Sequence, residues 1–505
     1  MQTLTVKLGI GEGEEKLFRL ATKKLGRKPA YFQILKKSLD ARDKGNIQFV
    51  YTVAFSDRDE EEHAARERLS HPPKVVVVGS GPAGLFCALR LLEYGVKPVV
   101  LERGQRVEER IASCERFFSE HRLDPESNIQ FGEGGAGTFS DGKLYTQTNN
   151  PKNKHNADVF SLFVRFGAPK EISYLAKPHI GSNNLRVIVK KMREHICAQG
   201  GEVRFSTKMT DLLVKDGRTG GVRTSAGEEM KADAVVLAIG HSARDTFAML
   251  EKKLFMQQKE FAVGVRIEHL QEEIGKAQYG AAWKSLPPAD YKVVSHASER
   301  GCVSFCMCPG GFVIPAASEE GGVVTNGMSN YRRDARNANA ALVVQVKKED
   351  FGGEDPLAGV RFQRTLEQRA FEYGGRDYRA PVQLVGDFLR RRVSDKFGSV
   401  VPSYAAGTSF APLDEVLPSF VSQSLRAALS DMGKRLKGYD CPDAVMTGVE
   451  SRTSSPVRIL RDETMQSVSV QGVYPCGEGC GYAGGITSSA ADGLRVADAI
   501  ALKYR

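Results

Sequence analysis

The sequence lacks the features that mark a membrane protein or a small disulfide-stabilised protein. No run of about 18 uninterrupted apolar residues occurs, so we expect no membrane span. The 9 cysteines are an odd number and lie scattered, which favours a reducing compartment over a disulfide framework. The opening stretch MQTLTVKLGIGEGEEK has no charged-then-apolar signal pattern, and its acidic residues disfavour a plastid precursor. We therefore expect a cytoplasmic protein, with a plastid or another organelle as the alternative.

The chain also lacks internal repeats, low-complexity tracts and a large excess of one charge. Its 505 residues are too many for one hydrophobic core and indicate two or three domains. A hydrophobic content of 41% and a charged content of 26% are ordinary for soluble globular proteins. The net charge of +10 favours an anionic cofactor, an anionic or polar small-molecule substrate, or a polyanion partner, and does not choose among them.

What the chain does contain is a dinucleotide-binding motif in residues 74–102. Four valines predict a buried strand, and GSGPAG follows them before an apolar helix. Gly79 permits the tight turn, Gly81 lets backbone amides approach a pyrophosphate, and Gly84 lets the helix pack on the strand. The helix N-terminus near Pro82 favours an anion.

A carboxylate ends the second strand of this unit. Glu102 follows that strand, 18 residues after Gly84, where it can accept hydrogen bonds from the adenosine ribose. The strand, the glycine turn, the helix and the acid occur in the order that dinucleotide binding requires. Together they predict a bound dinucleotide and leave its identity open.

Other glycine-rich segments predict the rest of the cofactor site. Residues 131–144, FGEGGAGTFSDGKL, form a loop able to lie flat against a planar ring or a phosphate. AVVLAIG is a buried strand that ends at Gly240, and GVYPCGEG is a second strand that ends in glycines. After it, Gly484 and Gly485 open a final helix.

The predicted elements indicate an α/β protein in which a Rossmann-like domain is interrupted by a mixed, β-rich substrate domain. In that inserted domain FAVGVRIE and GVVTNGM are predicted strands, and Asn337–Lys347 and Ser422–Leu436 are predicted helices. A small α+β module precedes the Rossmann-like domain. The expected boundaries are 1–56 for the module, 57–73 for a charged helical linker, 74–254 and 444–505 for the Rossmann-like domain, and 255–443 for the insertion.

The N-terminal module is rich in basic residues. Nine lysines and arginines lie between Arg19 and Lys44, against two aspartates. One interpretation is a polyanion-binding face for RNA over residues 1–55, with Tyr31 and Phe32 available for stacking. The other is the solvated side of two short elements.

Three motifs occur together in this chain: GSGPAG with Glu102, the strand end Ala238–Gly240, and Gly477–Gly479 before the glycine-opened helix. This set resembles the FAD-binding domain of flavoprotein oxidoreductases of the glutathione-reductase and p-hydroxybenzoate-hydroxylase type. The resemblance implies that Glu478 binds near the ribityl-pyrophosphate region and that the last helix points its N-terminus at the flavin. The family motif usually carries Asp where this chain has Glu478.

A more specific resemblance covers the whole chain. GGAGTFSDGKL at 134–144, FCMCPGG at 305–311, SRTSSPVRI at 451–459 and GEGCGYAGGI at 477–486 follow an N-terminal α/β extension. The chain resembles, in these motifs, a family of bacterial and plastid FAD-dependent dehydrogenases. The resemblance implies the fold and FAD, and it implies no particular substrate.

No second glycine motif lies between a strand and a helix, so a separate NAD(P)H domain is not expected. FAD is then the expected resident cofactor, with NAD(P)H as a transient electron donor. Amides at the start of the last helix would stabilise the negative charge of a reduced flavin. The residues expected to hold FAD lie in or beside the glycine turns: Gly79, Gly81, Pro82, Ala83, Gly84, Glu102, Arg103, Gly134, Gly135, Gly137, Gly240, Gly477, Glu478, Gly484, Gly485, Ile486 and Thr487.

The motifs do not identify the catalytic residues, and the candidates are Cys480, His241, His179 and Lys143. Cys480 would be a redox thiol or nucleophile if it faces the flavin, or otherwise a small buried residue near the cofactor. His179 is an acid/base candidate or a satisfied structural histidine. The cysteine spacings C-x3-C and C-x3-C-x-C are not typical of zinc or iron–sulfur sites, so we expect no metal. Arg244 is a candidate for polarising the substrate, and Arg452 and Arg458 are candidates for holding an anionic substrate or the cofactor pyrophosphate. The alternative for each arginine is a surface or inter-domain salt bridge.

Three hypotheses about function follow. The first is an FAD-dependent oxidoreductase that transfers hydride at flavin N5 to or from a substrate enclosed by residues 255–443. The second is a flavoenzyme that acts on RNA docked on residues 1–55. The third is a non-catalytic flavin-binding scaffold or sensor. The oligomeric state stays open.

Overall fold

The structure, a computed structural model, describes residues 1–58, 66–144 and 154–505. Its largest sheets are a three-stranded antiparallel sheet near the N-terminus, a five-stranded parallel sheet and a seven-stranded mixed sheet. The predicted α/β class, with a Rossmann-like part, a β-rich part and an N-terminal α+β module, is confirmed. Within the described residues no helix has both the length and the apolarity that a membrane span needs.

The N-terminal module is a sheet with one helix packed on it. Leu17 and Ala21 of the helix and Val53 and Phe55 of the sheet form its small core. The central strand pairs antiparallel with both others. The elements are β1 (Gln2–Gly9), α1 (Glu15–Leu25), β2 (Tyr31–Asp40) and β3 (Gln48–Ser56).

The next segment builds most of the Rossmann-like part. It contributes four of the five strands of the parallel sheet and a separate three-stranded antiparallel sheet. The elements are β4 (Val75–Val78), α2 (Pro82–Glu93), β5 (Val99–Leu101), α3 (Val107–Glu120), α4 (Lys154–Arg165), α5 (Ser182–Ala198), β6 (Glu202–Arg204), β7 (Met209–Lys215), β8 (Arg218–Thr224), β9 (Glu229–Lys231), β10 (Ala234–Leu237) and α6 (Arg244–Leu250).

The long segment that follows contributes the seven-stranded sheet. The elements are β11 (Met256–Gln258), β12 (Phe261–Leu270), α7 (Gln271–Tyr279), β13 (Val294–Ser295), β14 (Cys302–Cys308), β15 (Phe312–Pro315), β16 (Thr325–Met328), β17 (Asn337–Val346), α8 (Lys348–Phe351), α9 (Ala358–Gly374), β18 (Ala380–Leu384), α10 (Val385–Leu389), β19 (Thr408–Phe410), α11 (Leu413–Val416), α12 (Ser419–Arg435) and β20 (Val445–Glu450). The chain then ends with β21 (Val457–Ile459), β22 (Val473–Pro475) and α13 (Ile486–Lys503).

The parallel sheet has the order β22-β10-β4-β5-β6. Strands β10 and β22 are neighbours in this sheet although more than two hundred residues separate them, so the seven-stranded sheet is inserted between them in sequence. Helices α2 and α13 pack closely because Gly493 lies against the carbonyl of Ala83. The return of the chain through β22 and α13 therefore brings a second helix N-terminus beside that of α2. The exact domain boundaries stay a prediction.

The seven-stranded sheet has the order β13-β14-β17-β12-β20-β18-β19 and corrects one prediction. The predicted helix Asn337–Lys347 is wrong, because the segment is β17, paired antiparallel with β12 and β14. Nearly all of β17 is buried, so its sequence NANAALVVQV shows no alternation, and its alanines favour a helix in isolation. The other predicted helix, Ser422–Leu436, is confirmed as α12.

The predicted helical linker, residues 57–73, lies partly outside the described residues. Residues 59–65 are not described, and residues 66–69 adopt no helix. Arg66 ion-pairs there with Glu93 of α2.

Candidate functional site

A cavity of about 250 Å³ lies at the carboxyl ends of the parallel strands. Its wall includes residues that directly follow four of the five strands: Gly79 after β4, Glu102 after β5, Ala238 after β10 and Cys476 after β22. Open parallel sheets bind ligands at this edge, because the strand-to-helix turns meet there. The position alone makes this cavity the candidate cofactor site.

The geometry of the first glycine turn agrees with its predicted roles. Gly79 has φ +104°, and a Cβ atom there would overlap the carbonyl oxygen of Ala238 on the neighbouring strand. A Cβ atom on Gly84 would overlap the carbonyl oxygen of Gly79, so α2 packs directly on the turn. Gly81 caps α2 and faces the cavity. The amides of the first turn of α2 lack intrahelical acceptors and can bind an anion there.

Glu102 lies on the cavity wall but is also the centre of an internal network. One carboxylate oxygen accepts hydrogen bonds from the amide (3.0 Å) and the hydroxyl (2.7 Å) of Ser80. The other accepts from the amides of Gly104 (2.9 Å) and Gly132 (3.0 Å). These four donors occupy most of the acceptor capacity of a carboxylate. Glu102 therefore holds two glycine turns together, and its contact with a ribose stays a prediction.

The glycine-containing loop at residues 128–135 is shaped by a buried arginine that the sequence pattern did not reveal. Arg110 of α3 is fully buried and donates to the carbonyls of Asn128, Ile129, Glu133 and Gly135. These bonds fix the loop, so that Gly135 lies against Gly81. An arginine in the amphipathic stretch VEERIASCERFF gives no signal of this role, because its neighbours suggest an exposed position.

The N-terminus of α13 forms an open cradle in the wall. A Cβ atom added to Gly484 or Gly485 would meet no protein atom within 4 Å, so both glycines border empty space. The first turn of the 18-residue helix presents amides without intrahelical acceptors to this space. Thr487 is buried instead, and its hydroxyl donates to the carbonyl of Leu144 (2.6 Å). A planar or anionic group fits this cradle, and the fit agrees with the flavin end of FAD.

The opposite wall comes from the seven-stranded sheet and the strands beside it. Cys306 and Cys308 of β14, Asn326 of β16 and Glu450 at the end of β20 line the cavity. Glu450 is held by Arg266 of β12 through two hydrogen bonds of 2.9 Å. The sequence motif FCMCPGG contains the two cysteines, but nothing in the sequence showed that these strands meet the glycine turns.

Cys306 lies at an irregular point of β14. The pairing with β17 shifts between Phe305 and Cys308, and Cys306 has φ +44°, which is uncommon for a residue with a side chain. Its side chain is exposed to the cavity, whereas Cys308 is buried. Desolvation by the surrounding protein raises the pKa of the Cys306 thiol, while the positive charges of Lys143 and Arg266 oppose this shift.

Among the catalytic candidates, Lys143 and His241 lie on the cavity wall. Lys143 Nζ donates to Cys308 Sγ (3.6 Å) and lies 3.4 Å from a carboxylate oxygen of Asp141. Burial lowers the pKa of Lys143, but Asp141 together with Cys308 and Cys306 outweighs this effect, and the pKa is raised. His241 Nδ1 lies 3.4 Å from Glu478.

Cys480 and His179 are not on this wall. Cys480 is buried in the apolar core, its thiol donates to the carbonyl of Leu237 (3.1 Å), and burial raises its pKa to about 12. The structure therefore contradicts a flavin-facing Cys480. His179 stacks on Tyr331 and its Nε2 lies 2.9 Å from the Tyr331 carbonyl, which fits the structural alternative.

The arginines suggested for substrate binding are engaged by the chain itself. Arg244 and Arg452 both pair with the buried carboxylate of Glu367. Arg452 reaches the cavity wall, whereas Arg244 does not. Arg458 donates to the carbonyl of Gly481.

Thirteen of the seventeen residues predicted to hold FAD line the cavity, and the other four pack directly behind it. Gly84 packs on Gly79, and the amides of Gly134 and Gly477 donate to Ser80 and Asp492. The thirteen wall residues are Gly79, Gly81, Pro82, Ala83, Glu102, Arg103, Gly135, Gly137, Gly240, Glu478, Gly484, Gly485 and Ile486. Their roles toward FAD stay predictions.

The basic residues of the N-terminal module are largely engaged within the chain. Phe32 packs edge-on against Phe18, so it belongs to the core of the module rather than to a stacking surface. RNA binding stays a prediction. Six basic side chains contact carboxylates or carbonyls: Arg19, Lys24, Arg27, Lys37, Arg42 and Lys44.

Three regions of the chain match protein families, and one relative matches nearly the whole chain. Residues 73–244 match the pyridine nucleotide-disulphide oxidoreductase family, and residues 260–453 match the family described as FAD-dependent protein, C-terminal domain-like. Residues 1–56 match a domain of unknown function. An uncharacterised protein of Clostridium beijerinckii is 46% identical over 497 residues, which cover 93% of this chain and 92% of that protein.

Similarity to solved structures is weak. The flavin-dependent brominase Bmp2 has a TM-score of 0.39 at 14% identity, over 86% of this chain and 80% of the other. Glycine oxidase from Bacillus cereus has a TM-score of 0.37 at 10% identity, over 86% and 96%. We draw nothing about activity from similarities this low.

The bound cofactor is FAD, as the family matches indicate. The glycine turns and the cradle at α13 are consistent with it. The close relative spans both the Rossmann-like part and the β-rich part, so the two parts belong to one architecture. The chain therefore belongs to an uncharacterised family of FAD-dependent oxidoreductases.

Proposed function

We propose that this protein is an enzyme that transfers a hydride between FAD and a small polar or anionic substrate. The substrate would bind in the cavity between the glycine turns and the seven-stranded sheet. When bound, FAD supplies the hydride chemistry at its N5 atom. The single observation that carries the proposal is that one cavity has a cofactor wall of glycine turns and a second wall of reactive and polar side chains.

The cofactor wall supports binding without side chains in the way. The turns at Gly81 and Gly135 face each other, and Gly484 and Gly485 leave the N-terminus of α13 open. Backbone amides at the N-termini of α2 and α13 can bind anionic groups of the cofactor. Because these amides belong to helices packed on each other, their positions are fixed before the cofactor arrives.

The second wall supports a substrate site. Cys306, Asn326 and Lys143 offer a thiol, an amide and an ammonium group to the cavity. Glu450 and Arg452 also reach it, but their charges are matched by Arg266 and Glu367. A scaffold that only stored flavin would not require this set of groups beside the cradle.

The described residues contain one parallel sheet of the nucleotide-binding kind. NAD(P)H would therefore donate electrons from a transient position in the same cavity, or the substrate itself would reduce the flavin. Anaerobic addition of NADH and NADPH in turn to the purified holoprotein distinguishes these routes. Bleaching of the flavin by either nucleotide indicates a reductase, and bleaching only by an organic substrate indicates a dehydrogenase. If no donor bleaches the flavin at a useful rate, the proposed enzyme function is wrong.

A glycine pair tests the cofactor wall itself. Gly484→Val fills the cradle, while nothing in the protein obstructs the new side chain. We expect this variant to fold normally and to be purified with much less FAD than the wild type. Gly220→Val is the matched control, because Gly220 is exposed on β8 and a Cβ atom there meets only ordinary contacts. Equal FAD content in the two variants would contradict the assignment of the cradle.

A further inference from the structure

We propose that the ammonium group of Lys143 binds the anionic group of the substrate, and that the substrate is a small organic acid with one carboxylate. This inference rests on the proposed function, which places a substrate in the cavity. It adds the substrate class and the residue that selects it.

Lys143 lies at the part of the cavity where α13 begins. Its neighbour Leu144 accepts the hydrogen bond from Thr487 in the first turn of that helix. Cys306 and Cys308 flank Lys143 from the seven-stranded sheet. The ammonium group is therefore between the cradle of the cofactor wall and the side chains of the substrate wall.

Among the described residues, the charges around Lys143 leave one positive charge unmatched. The carboxylate of Asp141 is 2% exposed and makes two hydrogen bonds to Arg333, of 2.9 and 2.5 Å. The same carboxylate is the ion-pair partner of Lys143 at 3.4 Å. Two cations thus share one anion, and Arg333 has the closer geometry.

No other neighbour of Lys143 in the described part of the chain supplies the missing negative charge. Cys308 is a weak acceptor for the ammonium group, and the carboxylate of Glu450 is bound by Arg266. The Lys143 side chain is only 14% exposed, so its charge is energetically unfavourable unless a counterion binds beside it. A carboxylate in the cavity would complete the pair, and its single charge matches the single excess positive charge.

Cys306 provides a direct readout that needs no turnover. Its thiol is exposed to the same cavity, whereas Cys197 is exposed on α5 and is not part of the cavity wall. Purified holoprotein is alkylated with iodoacetamide at mildly alkaline pH, and mass spectrometry follows each cysteine over time. Propionate serves as the anionic probe and propionamide as its uncharged counterpart. We expect propionate to slow alkylation of Cys306 and leave Cys197 unchanged, and we expect propionamide to protect neither.

Two variants assign the effect to Lys143. Lys143→Met should weaken protection by propionate about 10- to 100-fold, the range for the loss of a charged hydrogen bond. Lys143→Arg keeps the charge and should retain most of the protection. Both variants should fold, because Asp141 keeps its pair with Arg333. Lys191→Met, on the exposed face of α5, is the matched control.

Isothermal titration calorimetry of the same holoproteins with propionate provides a second measurement if Cys306 alkylates slowly. Equal propionate affinity in the wild type and Lys143→Met, or no propionate binding to the wild type, would overturn the inference. The proposed function fails by a different result, the absence of flavin reduction by any donor. Propionate binding that depends on Lys143 in a protein without redox turnover would keep this inference and remove the proposed function.

Discussion

Glu102 offers a prediction that separates its structural role from a role toward the cofactor. The carboxylate accepts four hydrogen bonds, two from Ser80 and one each from Gly104 and Gly132. In Glu102→Gln one oxygen becomes an NH₂ group that faces donors instead of accepting from them. The hydroxyl of Ser80 can rotate to accept, so at least one buried amide loses its partner.

The expected cost follows from these contacts. Hydrogen bonds to a charged group contribute about 1.5–3 kcal/mol each, and a buried unsatisfied donor costs about 1–3 kcal/mol. We therefore expect the free energy of unfolding of Glu102→Gln to fall by about 2–4 kcal/mol. For a domain of this size the melting temperature should drop by about 5 °C or more.

The assay is thermal unfolding of the protein stripped of FAD, measured beside the FAD-loaded form. Because the network lies within the chain, the loss of stability should be present without cofactor. Glu478→Gln is the control, because Glu478 also lies on the wall and its carboxylate is 26% exposed. A stripped Glu102→Gln protein that melts like the wild type and only binds FAD more weakly would refute the structural role.

Three further predictions concern the same region. Gly84→Val should destabilise the Rossmann-like part by more than 1 kcal/mol, since the side chain would overlap the carbonyl of Gly79; unchanged thermal unfolding would contradict this. Arg110→Met should lower both melting temperature and FAD affinity, because four loop carbonyls lose their donor, and normal FAD retention would count against its role. Burial alone would raise the pKa of Asp141, but Lys143 and Arg333 lower it to about 2. Its contribution of about 2 kcal/mol is therefore present above about pH 4 and is lost as pH falls toward 2. The stability difference between wild type and Asp141→Asn should shrink over that interval in acid titrations, and a constant difference would refute the assignment.

The wall of glycine turns was predictable because its constraints are local. A turn that must pass a neighbouring carbonyl, as at Gly79, requires glycine at a fixed spacing from a strand and a helix. Gly484 and Gly485 differ in that no protein atom approaches them, and they were recognised because they directly precede a helix at the cavity. Such requirements leave a pattern in the sequence that can be recognised without a structure.

The opposite wall of the cavity was not predictable because its residues meet only through tertiary packing. Cys306, Asn326 and Glu450 come from three different strands, and no spacing links them. Arg110 looks exposed from its neighbours and is buried by a loop that follows it. The error at β17 has the same cause, since a strand buried on both faces lacks the alternation that identifies strands.

Cys480 illustrates the limit of reasoning from proximity in sequence. It adjoins Gly479 in the flavin motif, yet its thiol points to the carbonyl of Leu237 in the core. Proximity to a motif in the sequence therefore does not place a side chain in the cavity.

The identity of the cofactor is the central claim, and one measurement tests it most directly. The protein is purified without added flavin, its visible absorption spectrum is recorded, and the cofactor released by denaturation is identified by mass spectrometry. We predict the spectrum of an oxidised flavin and the release of one FAD per chain, with the content strongly reduced in Gly484→Val. A colourless protein that takes up no FAD on incubation would contradict the account.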